Sequence, residues 1–273
     1  RLSSPFAQMD HSHYGYSALP KRPQEQKGTA ARLQAFVVLC LEHWVAQPPA
    51  ESVRDPRFVG EFGSFTPDYR SWTQREYGLR IGIFRVLDAL KAQGIRPAIA
   101  ANAVAIQRLP QLVGTLNEWG CEWIGHAESA SSLMHAGLSQ EQQVDVIAQS
   151  LNTIVSCTGH KPLGWLSQDW GTTPDTYQLL AQAGIRYTLD WTNDDQPYML
   201  NTQPGITAIP LSAEWDDVQS QWLRNLDPRS HARLALSAFD KLRMEAVEQQ
   251  RNLVFGLTLH PWVCGMSSRI GPL

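Results

Sequence analysis

The feature that most constrains the fold is a regular alternation of short apolar segments with longer amphipathic ones, beginning near residue 35. Each short segment is a nearly continuous apolar run, as expected for a strand that is buried on both faces. The segments are AFVVLCL (35–41), RPAIAA (96–101), CEWIG (121–125), LGWLS (163–167), RYTLDW (186–191), ITAIPLS (206–212) and NLVFGLTLH (252–260). Strand and helix patterns that alternate in this way indicate an α/β fold with a parallel sheet.

The intervening segments carry helical signals. Apolar residues at helical spacing form a stripe in 80–94, at Ile83, Val86, Leu87 and Leu90, and Gly94 ends this helix. A second stripe is expected in 139–159, where Ser139 is the predicted N-cap. Its members are Val144, Ile147, Leu151, Ile154 and Val155.

The even spacing of the strands favours a closed or nearly closed β/α barrel over an open nucleotide-binding sheet. The chain contains neither G-x-G-x-x-G nor G-x-x-x-x-G-K-[ST], the glycine-rich loops that bind nucleotide phosphates. We predict an irregular N-terminal arm over residues 1–32, which lack hydrophobic periodicity, and one barrel domain over residues 33–273.

Composition excludes several classes of protein. The net charge is −3 and no basic run stands out, so nucleic acid and anionic membranes are not expected partners. No apolar stretch reaches the 18 or so residues of a membrane span. Four cysteines without a C-x-x-C pair indicate reduced core thiols, which favours a cytoplasmic location.

Polar and aromatic residues collect where the predicted strands end. In a β/α barrel these carboxyl ends carry the chemistry, so we expect a site at this rim. A purely structural role would also explain single residues, such as a core position for His126 or an Asx turn at Asp194 and Asp195. The residues at the strand ends are Glu42, His43, Trp44, His126, Glu128, Trp165, Gln168, Asp169, Trp170, Asp190, Asn193, Asp194, Asp195, Glu214, Trp215, His260, Pro261 and Trp262.

Five motifs in order carry a family resemblance. They are REYGLRIGIFR (75–85), IGHAES (124–129), PLGWLS (162–167), NDDQPY (193–198) and LTLHPWVCGMSSRI (257–270). From about residue 36 to residue 269, the chain resembles the polysaccharide deacetylase (NodB-homology, carbohydrate esterase family four) superfamily. The likeness is greatest to its branch of metal-independent allantoinases and peptidoglycan-deacetylase-like proteins. It implies a distorted (β/α) barrel of about seven parallel strands, with a last helix beyond Leu273.

The resemblance also implies a chemistry. Members hydrolyse non-peptide carbon–nitrogen bonds, in an N-acetyl amino sugar or a cyclic amide or ureide. The motif Leu-x-x-His is intact at 257–260 and implies that His260 is the general acid. Glu42 stands where the family carries its carboxylates, as base or water-positioning group, and His126 would stabilise the oxyanion. Five residues are expected to shape the substrate pocket: Arg80, Trp165, Asp194, Asp195 and Trp262.

The metal site of the family is only partly represented. Its motif His-Ser/Thr-x-x-His places a second histidine where this chain has Ala130. Either no cofactor is required, or a divalent metal such as zinc binds His126 with Glu42 or Glu128. His43 and His135 are further candidate ligands.

Two interpretations of function follow. The first is a hydrolase that acts on a small-molecule or carbohydrate amide, with a homo-oligomeric assembly as in the resembling branch. The second is a catalytically silent barrel that binds a carbohydrate or small amide, with its tryptophan-rich rim available for stacking.

Overall fold

The structure of the protein is a computed structural model that describes residues 11–23, 32–48, 52–53 and 67–273. The strands are β1 (Leu33–Leu41), β2 (Ala98–Ala101), β3 (Glu122–Gly125), β4 (Gly164–Trp165), β5 (Tyr187–Thr188), β6 (Tyr198–Leu200), β7 (Ile206–Ala208) and β8 (Leu253–Leu259). The α-helices are α1 (Tyr69–Tyr77), α2 (Ile83–Ala92), α3 (Ala103–Arg108), α4 (Pro110–Glu118), α5 (Gln140–Thr158), α6 (Thr176–Gln182) and α7 (Pro228–Glu248).

All strands belong to one sheet, in the order β6-β7-β5-β4-β3-β2-β1-β8. The seven strands predicted from the sequence are present and parallel, which confirms the α/β fold. The eighth, β6, was not predicted and runs antiparallel to β7 at the edge. It spans only three residues and follows a turn-forming segment, so it carries no periodic signal.

The alternation of side chains along the strands separates an inner core from an outer one. Val38 and Cys40 of β1 face an inner cluster shared with Ile124 of β3. Leu39 and Leu41 face the opposite side, where helices α2 and α4 cover the sheet. Because successive strand residues point to opposite faces, every second residue of each strand lines the barrel interior.

Side chains of the loop that follows β7 bridge the gap to β8 at the end of the curled sheet. No backbone ladder joins these two strands in the ranges that the structure describes. Instead, Trp215 stacks on Phe255 with ring centroids 5.3 Å apart, and its Nε1 donates to the carbonyl oxygen of Gly256 at 2.8 Å. A Cβ atom on Gly256 would lie 2.4 Å from Leu211, so the glycine permits the closure. This unpaired seam distorts the barrel.

The helical expectations are largely confirmed. Helix α2 buries its predicted stripe, and Ser139 caps α5 in a capping box with Gln142. In α5, however, Val144 and Val155 are exposed, which corrects the predicted stripe. The helix instead buries Ser150, because its hydroxyl group donates to the carbonyl oxygen of Ala127 at 3.2 Å.

Two glycines bring the first helices against the C-terminal segment. A π-helical turn, Gly78–Gly82, joins α1 to α2. A Cβ atom on Gly78 would lie 2.6 Å from the backbone nitrogen of Trp262, and one on Gly82 would lie 2.1 Å from the carbonyl oxygen of Pro261. Only glycine allows this approach, which fixes the chain directly after His260.

The described part of the N-terminal arm lies against the barrel without regular strands. Arg22 forms an ion pair with Asp194 at 2.6 Å, and Tyr14 packs edge-on against Trp191. The remainder of the predicted arm, residues 1–10 and 24–31, lies outside the described residues. Within the described ranges, no helix is both long enough and apolar enough to cross a membrane. The four cysteines are free, and three are buried, whereas Cys157 is exposed.

Candidate active site

The register of the sheet places three polar residues side by side. Leu41 pairs with Ala101, and Ala101 pairs with Gly125, so β1, β2 and β3 end in the same row. The next row therefore contains the residue that follows each strand: Glu42, Asn102 and His126. Because Cys40 and Ile124 point into the barrel, the alternation also turns Glu42 and His126 inward.

Glu42 is buried and receives two hydrogen bonds. Gln168 Nε2 donates to Oε1 at 2.7 Å, and Trp262 Nε1 donates to Oε2 at 3.1 Å. Burial alone would raise the pKa of Glu42, but the positive charges of His260 and His126 lower it to about 2. The side chain is therefore a carboxylate at neutral pH.

His126 is held so that one ring nitrogen faces Glu42. Its Nδ1–H donates to the carbonyl oxygen of Leu166 at 2.6 Å, which leaves Nε2 3.8 Å from Glu42 Oε1. Nε2 has no hydrogen-bond partner in the described part of the chain. Burial lowers the pKa of His126, but Cys40 and Glu42 together raise it to about 10. The ring is therefore an imidazolium whose Nε2–H group is available to a ligand.

His260 reaches the same carboxylate from the other side. It follows β8, and its Nε2 lies 4.0 Å from Glu42 Oε1. Its Nδ1–H donates to Asp217 Oδ1 at 2.6 Å, and its backbone N–H donates to Asp217 Oδ2 at 2.9 Å. Burial opposes protonation, but Cys40 and the carboxyl groups of Asp216, Glu42 and Asp217 hold the pKa of His260 well above its usual value.

Asp216 is a second buried acid beside His260. Its Oδ2 lies 3.8 Å from His260 Nδ1 and has no hydrogen-bond partner among the described residues. Burial raises the pKa of Asp216 to about 7, although the charge of His260 opposes the shift. Near neutral pH this carboxyl group can therefore exchange a proton.

A hydrogen-bonded layer sets the position of Gln168. The side chain of Asn102 donates to Gln168 Oε1 at 3.2 Å, so the amide of Gln168 must present Nε2 to Glu42. The preceding residue, Ser167, is fixed by Asp190, which accepts from its N–H at 2.6 Å and from its hydroxyl group at 2.8 Å. These buried contacts orient the carboxylate of Glu42 before any ligand binds.

Asp169 and Trp170 continue this turn in the left-handed region of backbone conformation. Their φ angles are 48° and 55°, uncommon for residues other than glycine. Burial and the charge of Glu42 raise the pKa of Asp169 to about 6. Strained residues of this kind concentrate at functional sites.

These residues enclose one pocket. Its empty volume, including the part that is open to solvent, is about 250 Å³. The pocket is lined by Glu42, His126, Leu166, Ser167, Gln168, Asp169, Trp170, Asp216, Thr258 and His260. Four of these lining residues keep a buried polar atom without a partner in the described chain: His126 Nε2, Trp170 Nε1, Asp216 Oδ2 and Thr258 Oγ1. Buried polar atoms without a hydrogen-bond partner are rare in folded proteins, and they are expected where a ligand or an ordered water molecule binds.

The structure brings together the three residues expected to act on substrate, Glu42, His126 and His260. Trp262 donates to Glu42 from behind and is not among the residues that line the pocket. The structure also places the other predicted substrate-binding residues away from the pocket. Arg80 is exposed on the π-helical turn, and Asp195 is exposed beyond β5. Asp194 forms an ion pair with Arg22 of the N-terminal arm.

Trp165 is also absent from the pocket. It is a core residue that is 1% exposed, and its ring packs so closely on Gly125 that a Cβ atom there would lie 2.5 Å away. The alternation explains this position, because Trp165 is in the same row as Gly125 and thus faces the outer core.

Several pocket residues were not selected from the sequence. Gln168 and Asp169 stand among the polar residues after β4, but nothing in the pattern separates them from their neighbours. Asp216 and Asp217 follow β7 after an intervening loop, and only the strand-end rule, applied further along the chain, would have pointed to them.

The residues present do not fit the metal site of the resembling family. Ala130, where that site would have its second histidine, offers no ligand atom. Both oxygens of Glu42 already accept hydrogen bonds from protein donors. Zinc in a catalytic site needs about three protein ligands, and only Glu42 and His126 remain.

The other predicted ligands do not complete the set. Glu128 and His135 line a separate pocket, and His43 contacts Arg108 and Glu76. Asp216, Asp217 and His260 do form a cluster of ligand-type atoms within 4.8 Å of one another. In that cluster, however, Nδ1 of His260 holds its proton against Asp217.

Comparison with known proteins gives the same fold. No protein-family model matches the chain. A protein of Schizosaccharomyces pombe named "Putative polysaccharide deacetylase" is 27% identical over 193 residues, which span 63% of this chain and 59% of that protein. The chain thus matches less than two thirds of the length of this relative.

Two solved structures are similar over most of the chain. The crystal structure of Puue allantoinase has a TM-score of 0.78 at 24% identity, and covers 92% of this chain and 85% of its own. A "probable Polysaccharide deacetylase" of Pseudomonas aeruginosa PAO1 has a TM-score of 0.76 at 22% identity, with coverage of 92% and 85%. At these identities the likeness is one of fold.

Proposed function

We propose that the chain is a member of the polysaccharide deacetylase (NodB-homology) superfamily, which its similarity in sequence and fold supports, and that it hydrolyses a non-peptide carbon–nitrogen bond with a base-activated water molecule. The substrate is a small-molecule or carbohydrate amide, either an N-acetyl amino sugar or a cyclic amide or ureide. The observation that carries the proposal is the approach of two imidazole Nε2 atoms, of His126 and His260, to one carboxylate oxygen of Glu42 at 3.8 and 4.0 Å.

These distances leave space for reacting atoms between the three groups. Glu42 orients the water molecule and takes a proton from it as the water oxygen attacks the carbonyl carbon. The Nε2–H group of His126 donates to the oxyanion that forms on the carbonyl oxygen. His260 then gives its Nε2 proton to the leaving nitrogen as the carbon–nitrogen bond breaks, which produces a carboxylic acid and an amine.

The protonation states suit these roles. A pKa of about 10 keeps His126 positive, and that of His260 lies well above 6.5, so both donors are charged at neutral pH. Glu42 starts as a weak base, because its pKa is about 2. As negative charge grows on the substrate oxygen, it competes for the two imidazolium groups, and the proton affinity of Glu42 rises.

The test is hydrolysis of a panel of N-acetyl amino sugars, ureides and imides by the wild type and two variants. We expect Glu42→Gln and His260→Ala to lower kcat on the order of 100-fold or more on any substrate that is turned over. Glu141→Gln makes the same carboxylate-to-amide change at the exposed start of α5 and should retain full activity. Full turnover by both site variants would refute the assignment.

One observation favours a silent binding protein instead. The chain has Ala130 where the family carries a second histidine, so machinery of the family has been lost. The same panel separates the two functions when it is run with added zinc and with a chelator, alongside elemental analysis of the purified protein. Saturable binding without turnover in either condition would establish the silent form.

A further inference from the structure

The carboxyl groups of the pocket outnumber its cationic groups. The lining residues supply three carboxyl groups and two imidazoles, from Glu42, Asp169, Asp216, His126 and His260. Asp217 adds a fourth carboxyl group directly behind His260, with its Oδ1 2.6 Å from the ring. Among the described residues, no lysine or arginine lines the pocket. Even with both imidazoles protonated, the acids leave a surplus of negative charge.

Arg75 is a neighbouring cation, but it lies one layer away. Its guanidinium group stacks 4.4 Å from the ring centre of Trp44 and 4.6 Å from that of Trp262. Trp262 in turn contacts Glu42 through its Nε1 atom. Arg75 therefore moderates the surplus from behind an indole ring and presents no charge to a ligand inside the pocket.

Asp169 is one of two carboxyl groups lining the pocket, with Asp216, to which the proposed mechanism assigns no role. Its left-handed backbone, with φ 48°, holds the residue at the pocket in the turn after Gln168. The pKa of its carboxyl group is raised to about 6 by burial and by the charge of Glu42, as expected for an acid added to an already negative site. At pH 8 it is ionised.

Asp216 gives independent evidence for a missing donor. It is 1% exposed, and Oδ2 accepts no hydrogen bond from the described chain. A buried carboxyl oxygen without a donor is unfavourable until a ligand or water supplies an N–H or O–H group. The pocket thus contains a buried acceptor that lacks a hydrogen-bond donor, and more negative charge than its cationic groups balance.

We propose that the pocket selects substrates that carry a positive charge beside the scissile carbon–nitrogen bond, and that Asp169 is the residue that recognises this charge. An amidinium or ammonium group supplies the positive charge that balances the surplus of carboxylates. It also supplies N–H groups that can donate to Asp216 Oδ2. Anionic substrates of the same shape are repelled. The inference deepens the proposed function and rests on it only for the identity of the bond that is cleaved.

The test uses acetamidinium, acetamide and acetate, which are planar, nearly equal in size and differ in charge. Their binding to the 273-residue chain is measured at pH 8 by NMR titration. We expect acetamidinium to bind at least about tenfold more tightly than acetate, with acetamide between them. Asp169→Asn should lower this ratio about tenfold, because asparagine tolerates the left-handed backbone but removes the charge. Asp240→Asn, on the exposed face of α7, should leave the ratio unchanged.

Three results would overturn the inference: no saturable binding of acetamidinium, equal affinities for acetamidinium and acetate, or an unchanged ratio in Asp169→Asn. Because the measurement is binding, it stands apart from turnover. A charge preference in a protein that hydrolyses nothing would contradict the proposed function alone. Hydrolysis of neutral amides without any charge preference would contradict this inference alone.

Discussion

Asp217 determines both the orientation and the charge of His260. Its two carboxylate oxygens accept from the ring Nδ1–H and from the backbone N–H of the same residue, so the imidazole can rotate little. This arrangement leaves Nε2 as the atom that faces the pocket. It also places the compensating charge of the acid on the side of the ring away from the substrate.

We expect Asp217→Asn to lower kcat on the order of 100-fold or more with little change in KM, because the neutral amide no longer stabilises the imidazolium. The pKa of His260, followed by imidazole NMR, should fall. Asp240→Asn, which removes an exposed carboxylate, serves as the control. A variant with unchanged kcat and an unchanged titration of His260 would show that Asp217 has a structural role only.

How much of the site was predictable depends on where each residue stands relative to a strand. Glu42, His126 and His260 directly follow recognisable strands, so alternation and the strand-end rule locate them. Asp169 and Asp216 lie in turns whose course depends on contacts that are distant in sequence. Periodicity predicts the strand that carries Trp165 but not which of its two faces lines the interior, and this side chain faces the outer core.

Helix α2 and the π-helical turn before it position His260, the proposed general acid, through close backbone contact. The glycines of motif 75–85 and of motif 257–270 face each other, and a Cβ atom on Gly265 would lie 2.4 Å from the Cα of Gly82. This explains the glycines of the two motifs, none of which lines the pocket. Their glycines allow the helices to touch the chain that carries His260 and Trp262.

Gly82→Ala should destabilise the fold by about 1–3 kcal/mol or more, because the new methyl group meets backbone atoms that cannot move aside. Gly114→Ala is the matched control, since nothing lies within 4 Å of its Cβ position in α4. There the same change should stabilise by about 0.5–1 kcal/mol. Chemical denaturation compares the two, and equal effects would show that the close approach is unimportant.

The ends of elements were less predictable than their existence. The capping box of α5 is a local signal and was readable at Ser139. The burial of Ser150 rather than Val155 could not be predicted from local sequence, because it depends on a hydrogen bond to the loop after β3. Strand β6 was missed for a similar reason, since its three residues gain their pairing from β7 and from nothing in their own pattern.

The buried charged groups at the carboxyl ends of the strands have opposite effects on the stability of the whole molecule. Glu42 and His126 stabilise each other: the pKa of Glu42 falls to about 2 and that of His126 rises to about 10. Their contribution to folding is therefore present at neutral pH. It is lost as the pH falls through about 2 or rises through about 10. Asp216 acts in the opposite sense.

The carboxyl group of Asp216 has a pKa of about 7 in the folded protein, against an ordinary value of 3.8. Folding favours its protonated form, so the native state loses stability as the pH rises from about 4 to about 7 and loses no more above that range. Asp216→Asn removes this ionisation. We expect the variant to gain on the order of 2 kcal/mol over the wild type at pH 8, and little at pH 4.

Urea denaturation at pH 4, 6 and 8 measures the gain. Asp240→Asn, where the carboxylate is exposed and close to Arg243, should show no comparable trend. A gain for Asp216→Asn that is constant with pH would mean that the amide packs better and that ionisation is not the cause. A loss of stability at pH 8 would mean that the carboxylate makes a favourable native contact. Only a gain that grows with pH shows that the site retains an unfavourable charge, as expected where binding is favoured over stability.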